Sequence, residues 1–294
     1  MAYELLNSAQ VTPPRLHAMV RLVSRLQSPT RKDVIDLLQP SVLVSDQSAA
    51  KNIYIAAVNC GIVNEAPDKT LVLNGEAAQL ESMQGFELYM QKRVLGTTEP
   101  HEPNYLFNLY SAWYIVQNER VFQFKDKDFE TGFNKELSQG DDDEERKFNS
   151  TKFNGWRTWA AFLGLGWLIK PGLSGRSEIL VPCASNRLKS ILTQLLARDR
   201  QIIKFSLFAE RLADLCPELD GGSLFTDCWE GSRGSERRGN NLSLALSTGL
   251  RQLHDSGEIE LIRQADATDI WQLYPAEGQP LHLKQVTHIR LRGN

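Results

Sequence analysis

The chain has 294 residues, of which 41% are hydrophobic and 23% charged, with a formal net charge of −3. That composition belongs to a folded protein of two or three domains, each able to bury its own core, and no apolar run approaches the roughly 20 residues that span a bilayer. The near balance of charge excludes a bulk polycation, so any contact with nucleic acid has to come from local basic patches.

The clearest periodic stretch opens at Thr12-Pro13, an N-cap followed by proline at the first helical position. Leu16, Met19, Val20, Val23 and Leu26 recur at spacings of three and four, which puts one apolar stripe on a helix and leaves Arg15, Arg21 and Arg25 on its wet side. Ser28-Pro29 opens a second, short helix with Val34, Leu37 and Leu38 inward, and Pro40 ends it. Ser45 and Asp46 cap a third, striped by Ala50, Ile53, Tyr54 and Ala57 and stopped at Gly61. Residues 62–73 then spell strand, turn and strand around Pro67-Asp68.

Three helices and a hairpin are the order of a winged helix-turn-helix, in which the third helix keeps one face free for the DNA major groove. Helical spacing puts Gln47, Ser48, Lys51 and Asn52 on that face. Lysine reaches phosphate or guanine, and the amides pair with adenine. Four polar residues on a wet helix face need no ligand by themselves; the surrounding order of elements is what points to DNA. Lys69 sits at the wing tip, within reach of a phosphate, though a lone exposed lysine is as readily just solvated.

Residues 81–103 read as a helix and a linker, followed by a long aromatic helix over 104–124, apolar around much of its girth and therefore the most buried. A short helix over 128–137 and an acidic run, Asp141 to Glu145, come next; the run lacks the EF-hand spacing and reads as a solvated loop. A helix with Phe153, Trp156, Trp159, Ala160 and Leu163 inward and Lys152, Asn154 and Arg157 outward then leads to strands at 167–170 and 178–181, with Arg176 in their turn. A helix over 184–197 closes this segment.

The order repeats more faintly over residues 201–294. A helix carries Phe205, Phe208, Leu212 and Leu215, and the Gly- and Ser-rich stretch 220–240 reads as a loop whose Arg233, Arg237 and Arg238 would clamp phosphates or merely keep it soluble. A further helix has Leu246, Leu250 and Leu253 inward, with Arg251 and His254 outward. A hairpin of 258–263 with 269–273 follows, and a last strand over 284–291 ends in Arg290 and Arg292. The expected fold is thus mainly α with small β-hairpins (α+β), built as tandem winged helix-turn-helix modules at 1–80, 81–200 and 201–294. By segment these hold 7 basic and 7 acidic side chains, 16 of each, and 10 against 13.

Cys60, Cys183, Cys216 and Cys228 include no CxxC pair, which suits reduced, packed thiols. None of the five histidines stands three or four residues from another metal ligand on a convincing helix face, and no GxSxG, HExxH, GxGxxG or phosphate-loop pattern occurs. No catalytic residue, metal or cofactor is therefore expected. The first ten residues lack a basic region leading into an apolar stretch, so the expected compartment is the cytoplasm.

The Thr12-Pro13-Pro14-Arg15-Leu16 opening, the multi-module layout and the length resemble the DpdG family of accessory proteins, from bacterial islands that place 7-deazaguanines in DNA and restrict unmodified DNA. The resemblance implies a part in DNA modification or phage defence and carries over no catalytic residue. The leading expectation is a DNA-binding accessory protein that contacts double-stranded DNA and partner subunits. A protein-interaction scaffold and a transcription regulator are the alternatives.

Overall fold

The structure, a computed structural model, describes residues 5–6, 8–74, 77–137, 147–170, 178–196, 202–234, 238–275 and 283–292. It is mainly α with small antiparallel strand pairs. Along the chain come α1 (Pro13–Arg25), α2 (Arg31–Leu38), α3 (Ser48–Asn59), β1 (Val63–Glu65), β2 (Leu71–Leu73), α4 (Ala77–Glu81), α5 (Met83–Val94) and α6 (Tyr105–Val116). A 3-10 turn (Asn118–Phe122) precedes α7 (Asp126–Leu137), α8 (Ser150–Phe162), β3 (Gly166–Ile169), β4 (Ile179–Pro182) and α9 (Ser185–Leu195). The last elements are β5 (Ile203–Lys204), α10 (Phe205–Leu215), α11 (Ser223–Arg233), α12 (Leu244–Asp255), β6 (Ile259–Ile262), β7 (Trp271–Gln272), β8 (Gln285–Val286) and β9 (His288–Leu291). Among the described residues, no helix is long and apolar enough to cross a membrane.

The chain packs as two compact units, one of Met1–Phe107 with Phe148–Leu163, the other of Asn108–Lys147 with Gly164–Asn294.

In the first unit, Leu16, Met19, Val20 and Val23 of α1 are all buried, as their spacing requires. They pack among α2, α3, α4 and β2. Thr30 starts α2 with a capping box: its hydroxyl accepts from the Asp33 amide, while the Asp33 carboxylate accepts from the Thr30 amide at 2.9 Å. Val63 pairs with Leu73 and Glu65 with Leu71 across the hairpin. Thr30 forms an antiparallel bridge to Thr70, and the Leu71 amide donates to Pro29 O at 2.7 Å. The segment between α1 and α2 thereby adds an edge to the hairpin, with β2 in the middle. His17 is a core histidine: its Nε2 lies 3.0 Å from Leu80 O and its ring stacks on Phe86. Lys152, expected on the wet face of α8, is buried. It stands four positions before Trp156 on the same helical stripe, where its aliphatic stem belongs with the apolar residues.

In the second unit the succession is the same. Helix α9, the short strand β5, helices α10 and α12, and strands β6 and β9 come in that order, with α11 inserted before α12 and the β7–β8 pair between β6 and β9. The last strand is again central, in the order β5-β9-β6. The expected hairpin of 258–263 with 269–273 does not form, because β6 pairs with β9 and β7 with β8. Leu261 thus faces Ile289 in register, burying two aliphatic side chains that a local hairpin would leave apart. The expected loop at 220–240 contains α11, whose Leu224, Phe225 and Cys228 form a buried stripe that the surrounding Gly and Ser residues disguise. The expected helix over 104–124 stops at Val116, where Asn118 takes a left-handed conformation (φ 54). The turn frees the Asn118 carboxamide oxygen to accept from the Leu244 amide at 2.7 Å, at the start of α12.

Helix α12 is the centre of this unit. Ser243 caps it, and buried Asp220 accepts from the Ser243 amide at 2.7 Å. A Cβ on Gly249 would stand 2.8 Å from the Ser185 amide nitrogen and 2.9 Å from the Ala184 carbonyl carbon. Nearby, Arg187 pairs with fully buried Glu218 at 2.9 Å and donates to Leu215 O. Arg251, expected outward, is buried and donates to Tyr274 O at 2.7 Å and Leu283 O at 3.2 Å. Burial lowers its pKa by penalising the charged form.

Two measurements check this packing. Gly249→Ala is expected to lower unfolding stability by about 1–3 kcal/mol, because α9 and α12 must part to admit the methyl group and helix propensity returns at most about 1 kcal/mol. Glu218→Ala is expected to cost about 3–5 kcal/mol by stranding the Arg187 charge. Urea unfolding reads both, and an unchanged midpoint in either variant contradicts the packing.

Candidate nucleic-acid interface

Helices α3 and α12 both stand ahead of hairpins or paired strands in the expected modules, but they are not equally accessible. On α3 the exposed positions are Ser48, Lys51, Ile55 and Asn59, one stripe at spacings of three and four. On α12 only Gln252 and Asp255 are exposed. That helix is enclosed by α9, β4, β6 and the 3-10 turn. The open helix is the first one.

The eight residues singled out in the sequence fare differently. The Lys51 side chain is exposed and makes no hydrogen bond or ion pair among the described residues. Ser48 is exposed and engaged with Asp46, which accepts from its amide at 2.9 Å and its hydroxyl at 2.6 Å. Gln47 is half-buried and turned inward, donating to Asp36 at 2.7 Å and to Gln39 O at 2.8 Å. Asn52 is half-buried and donates to the Ser8 hydroxyl at 3.3 Å. The two amides are therefore occupied within the protein, a feature that helical spacing does not reveal.

Lys69 holds the hairpin turn in a left-handed conformation (φ 66), its amide donating to Ala66 O and its side chain exposed. Arg157 is half-buried on α8, its guanidinium carbon 5.3 Å from the Phe153 ring centroid. Arg176 and Arg237 lie outside the described residues, as does the acidic run at 141–145.

Sequence reasoning missed Arg31. It is exposed at the first position of α2, 4.7 Å over the Tyr54 ring of α3, and directly follows Thr30, which bridges to Thr70 beside Lys69. Arg31 and Lys69 thus flank one strand bridge. The available signal is a cation at the positive end of a helix dipole, where it is mildly unfavourable. The patch is not uniformly basic. Asp46 and Asp68 have their carboxyl pKa values lowered by hydrogen bonds from Ser48 and Thr70 respectively, so both stay charged at neutral pH. Such neighbours weaken the field that Lys51 and Lys69 present to a phosphate.

The other arginines expected to clamp phosphate are used internally. Arg238 pairs with Asp220 at 2.6 Å. Arg233 donates to Val116 O at 3.3 Å. Arg290 and Arg292 share Glu260, whose pKa they lower. One carboxylate thus offsets one of the two charges near the C-terminal strand.

No group of His, Cys, Asp or Glu among the described residues is arranged to hold a metal ion. Burial raises the thiol pKa values of Cys183, Cys216 and Cys228. A maleimide or disulfide reagent at pH 7.5 is expected to leave these three thiols unmodified in the folded protein and to label them all in denaturant. Rapid labelling of any of them under native conditions contradicts this packing.

The chain matches the model of the DpdG-like family over residues 3–267. No curated protein and no solved structure matches it. With that span taken from 294 residues, the chain belongs to the DpdG-like family.

Proposed function

We propose that the protein is a non-catalytic accessory component of a bacterial DNA-modification or phage-defence system, contacting double-stranded DNA through α3 and the β1–β2 hairpin. The observation that carries this reading is the bridge between Thr30 and Thr70. With it, the first unit runs helix, strand, helix, helix, strand, strand, with the last strand central, which is the succession of a winged helix. In that arrangement α3 is the recognition helix and Lys69 the wing tip. Membership of the DpdG-like family supports the system-level part of the reading.

The contacts fall to Lys51, Lys69, Arg31 and the Ser48 hydroxyl. Because Gln47 and Asn52 are held by internal partners, little is left to read base edges, and recognition rests on phosphate and groove shape. A contact set of this size implies modest affinity, and the acidic neighbours imply that it fades with salt.

A second reading is favoured by one specific observation. Leu37, expected inward, is exposed near the end of α2, and between α2 and α3 stand Val42, Leu43 and Val44, with Val42 89% and Leu43 78% exposed. Clustered exposed aliphatics of this kind mark protein contacts more often than phosphate contacts. The turn would then dock a partner subunit while α3 remains available to DNA.

Binding to a labelled random duplex over a salt series tests the first reading. A log–log slope of about −2 to −3 is expected, for two or three neutralised phosphates, and Lys51→Glu should reduce its magnitude by about 1. No binding at low salt, or an unchanged slope in the variant, overturns the α3 reading. Co-purification with a partner at high salt that is lost in a Val42→Ser, Leu43→Ser double variant supports the second.

A further inference from the structure

We propose that Tyr54 and Glu65 are positioning residues for Arg31, holding its guanidinium ready, with its donors unspent, for a phosphate of the DNA backbone. The proposal rests on the DNA reading of α3 and the hairpin, and adds to it the device that orients one of the contacts.

Arg31 stands at the first position of α2 with its side chain exposed. An exposed arginine samples many rotamers and loses that freedom when it binds a ligand. Here the guanidinium carbon lies 4.7 Å from the centroid of the Tyr54 ring. Tyr54 is 7% exposed and sits on the buried stripe of α3, so packing fixes the ring. Its hydroxyl donates to Glu65 Oε2 on β1 at 3.0 Å. One arginine, one ring and one carboxylate thus join α2, α3 and the hairpin at a single point. The contact with the ring spends none of the guanidinium donors. Among the described residues the Arg31 side chain makes no hydrogen bond or ion pair. Those donors form the planar fork that meets two oxygens of one phosphate, which a lysine ammonium does not reproduce.

The acids around Arg31 are engaged elsewhere. Asp33, two residues on, accepts from the Thr30 amide at 2.9 Å and from the Thr30 hydroxyl at 2.7 Å. Glu65 takes the Tyr54 hydroxyl and forms no ion pair with Arg31. Burial, and after it Glu65, raise the Tyr54 pKa, so the hydroxyl stays protonated and remains a donor. A phenol that donates to a carboxylate gains electron density on its ring, which strengthens the ring's hold on a cation. Glu65 would by its charge alone repel a phosphate. Acting through Tyr54, it instead orients the group that binds one.

The test compares binding of the full chain to the labelled random duplex, at one low salt concentration, for the native protein and for Glu65→Ala, Glu65→Gln and Tyr54→Phe. The variants separate charge from position by sign. Removing a negative charge would by itself tighten binding to DNA in Glu65→Ala. The positioning role predicts the opposite, a loss of about twofold or more, out of the roughly two- to fivefold that an exposed cation–π contact is worth. Glu65→Gln keeps an acceptor for the hydroxyl and is expected to bind at least as well as the native protein. Tyr54→Phe keeps the ring and drops the hydroxyl, and should match Glu65→Ala. The double variant should be no weaker than either single one, because both act through one hydrogen bond. Without DNA, 15N relaxation of Arg31 Nε is expected to show a side chain more restrained in the native protein than in Glu65→Ala. No duplex binding by the native protein overturns the DNA reading, and this proposal with it. Native binding that Glu65→Ala strengthens or leaves unchanged overturns this proposal alone, as does an Arg31 Nε equally mobile in both. Glu65 is exposed, so the deciding variant does not depend on Tyr54→Phe folding.

Discussion

The close approach of α12 to the start of α9 governs the second unit. Gly249 permits it, since any side chain there would run into the backbone of Ala184 and Ser185. The Ala184 amide then donates to Ala245 O at 3.0 Å. Around that contact several polar groups of α12 are drawn inward. Ser247 accepts from the Tyr274 amide, and Arg251 donates to Tyr274 O and Leu283 O. Ser243 shares Asp220 with Arg238. A helix so enclosed has no surface left for a major groove. In the first unit Ser48, Lys51, Ile55 and Asn59 of α3 remain exposed. Two successions of the same elements have therefore reached different ends, one sealed and one open.

Local periodicity made much of the first unit legible. The stripe Leu16, Met19, Val20 and Val23, the stop at Gly61 and the turn at Pro67-Asp68 each arise from neighbours a few residues apart, and each stands as its pattern predicts. The misreadings share a cause, which is dependence on partners distant in the chain. Gly and Ser around α11 concealed a buried stripe of Leu224, Phe225 and Cys228. Arg251 is a cation at an amphipathic boundary, and only the carbonyls of Tyr274 and Leu283 draw it inside. β6 takes β9 over the nearer strand because Ile289 completes a buried face with Leu261. The candidate site divides along the same line. Exposure of Lys51 and Lys69 followed from spacing and turn position, whereas the engagement of Gln47 with Asp36 and the place of Arg31 over Tyr54 required the tertiary structure.

Electrostatics sets the scale of what the open helix can do. Lys51 stands near Asp46, and Lys69 next to Asp68, both acids held ionised by hydrogen bonds. Several arginines elsewhere are matched by carboxylates or carbonyls within the protein. On the proposed DNA reading, long-range steering is therefore weak, and binding would depend on short-range contacts assembled in the right geometry. The exposed aliphatic turn at Val42 and Leu43 fits this economy, since a partner seated there would add affinity that the charges do not supply.

The asymmetry between α3 and α12 is the central claim, and hydrogen–deuterium exchange with and without duplex DNA tests it most directly. The account predicts added protection in peptides covering 31–38, 48–59 and 66–70, with slow exchange over 244–255 that DNA leaves unchanged. Protection appearing over 244–255 instead, with none at 48–59, would contradict it.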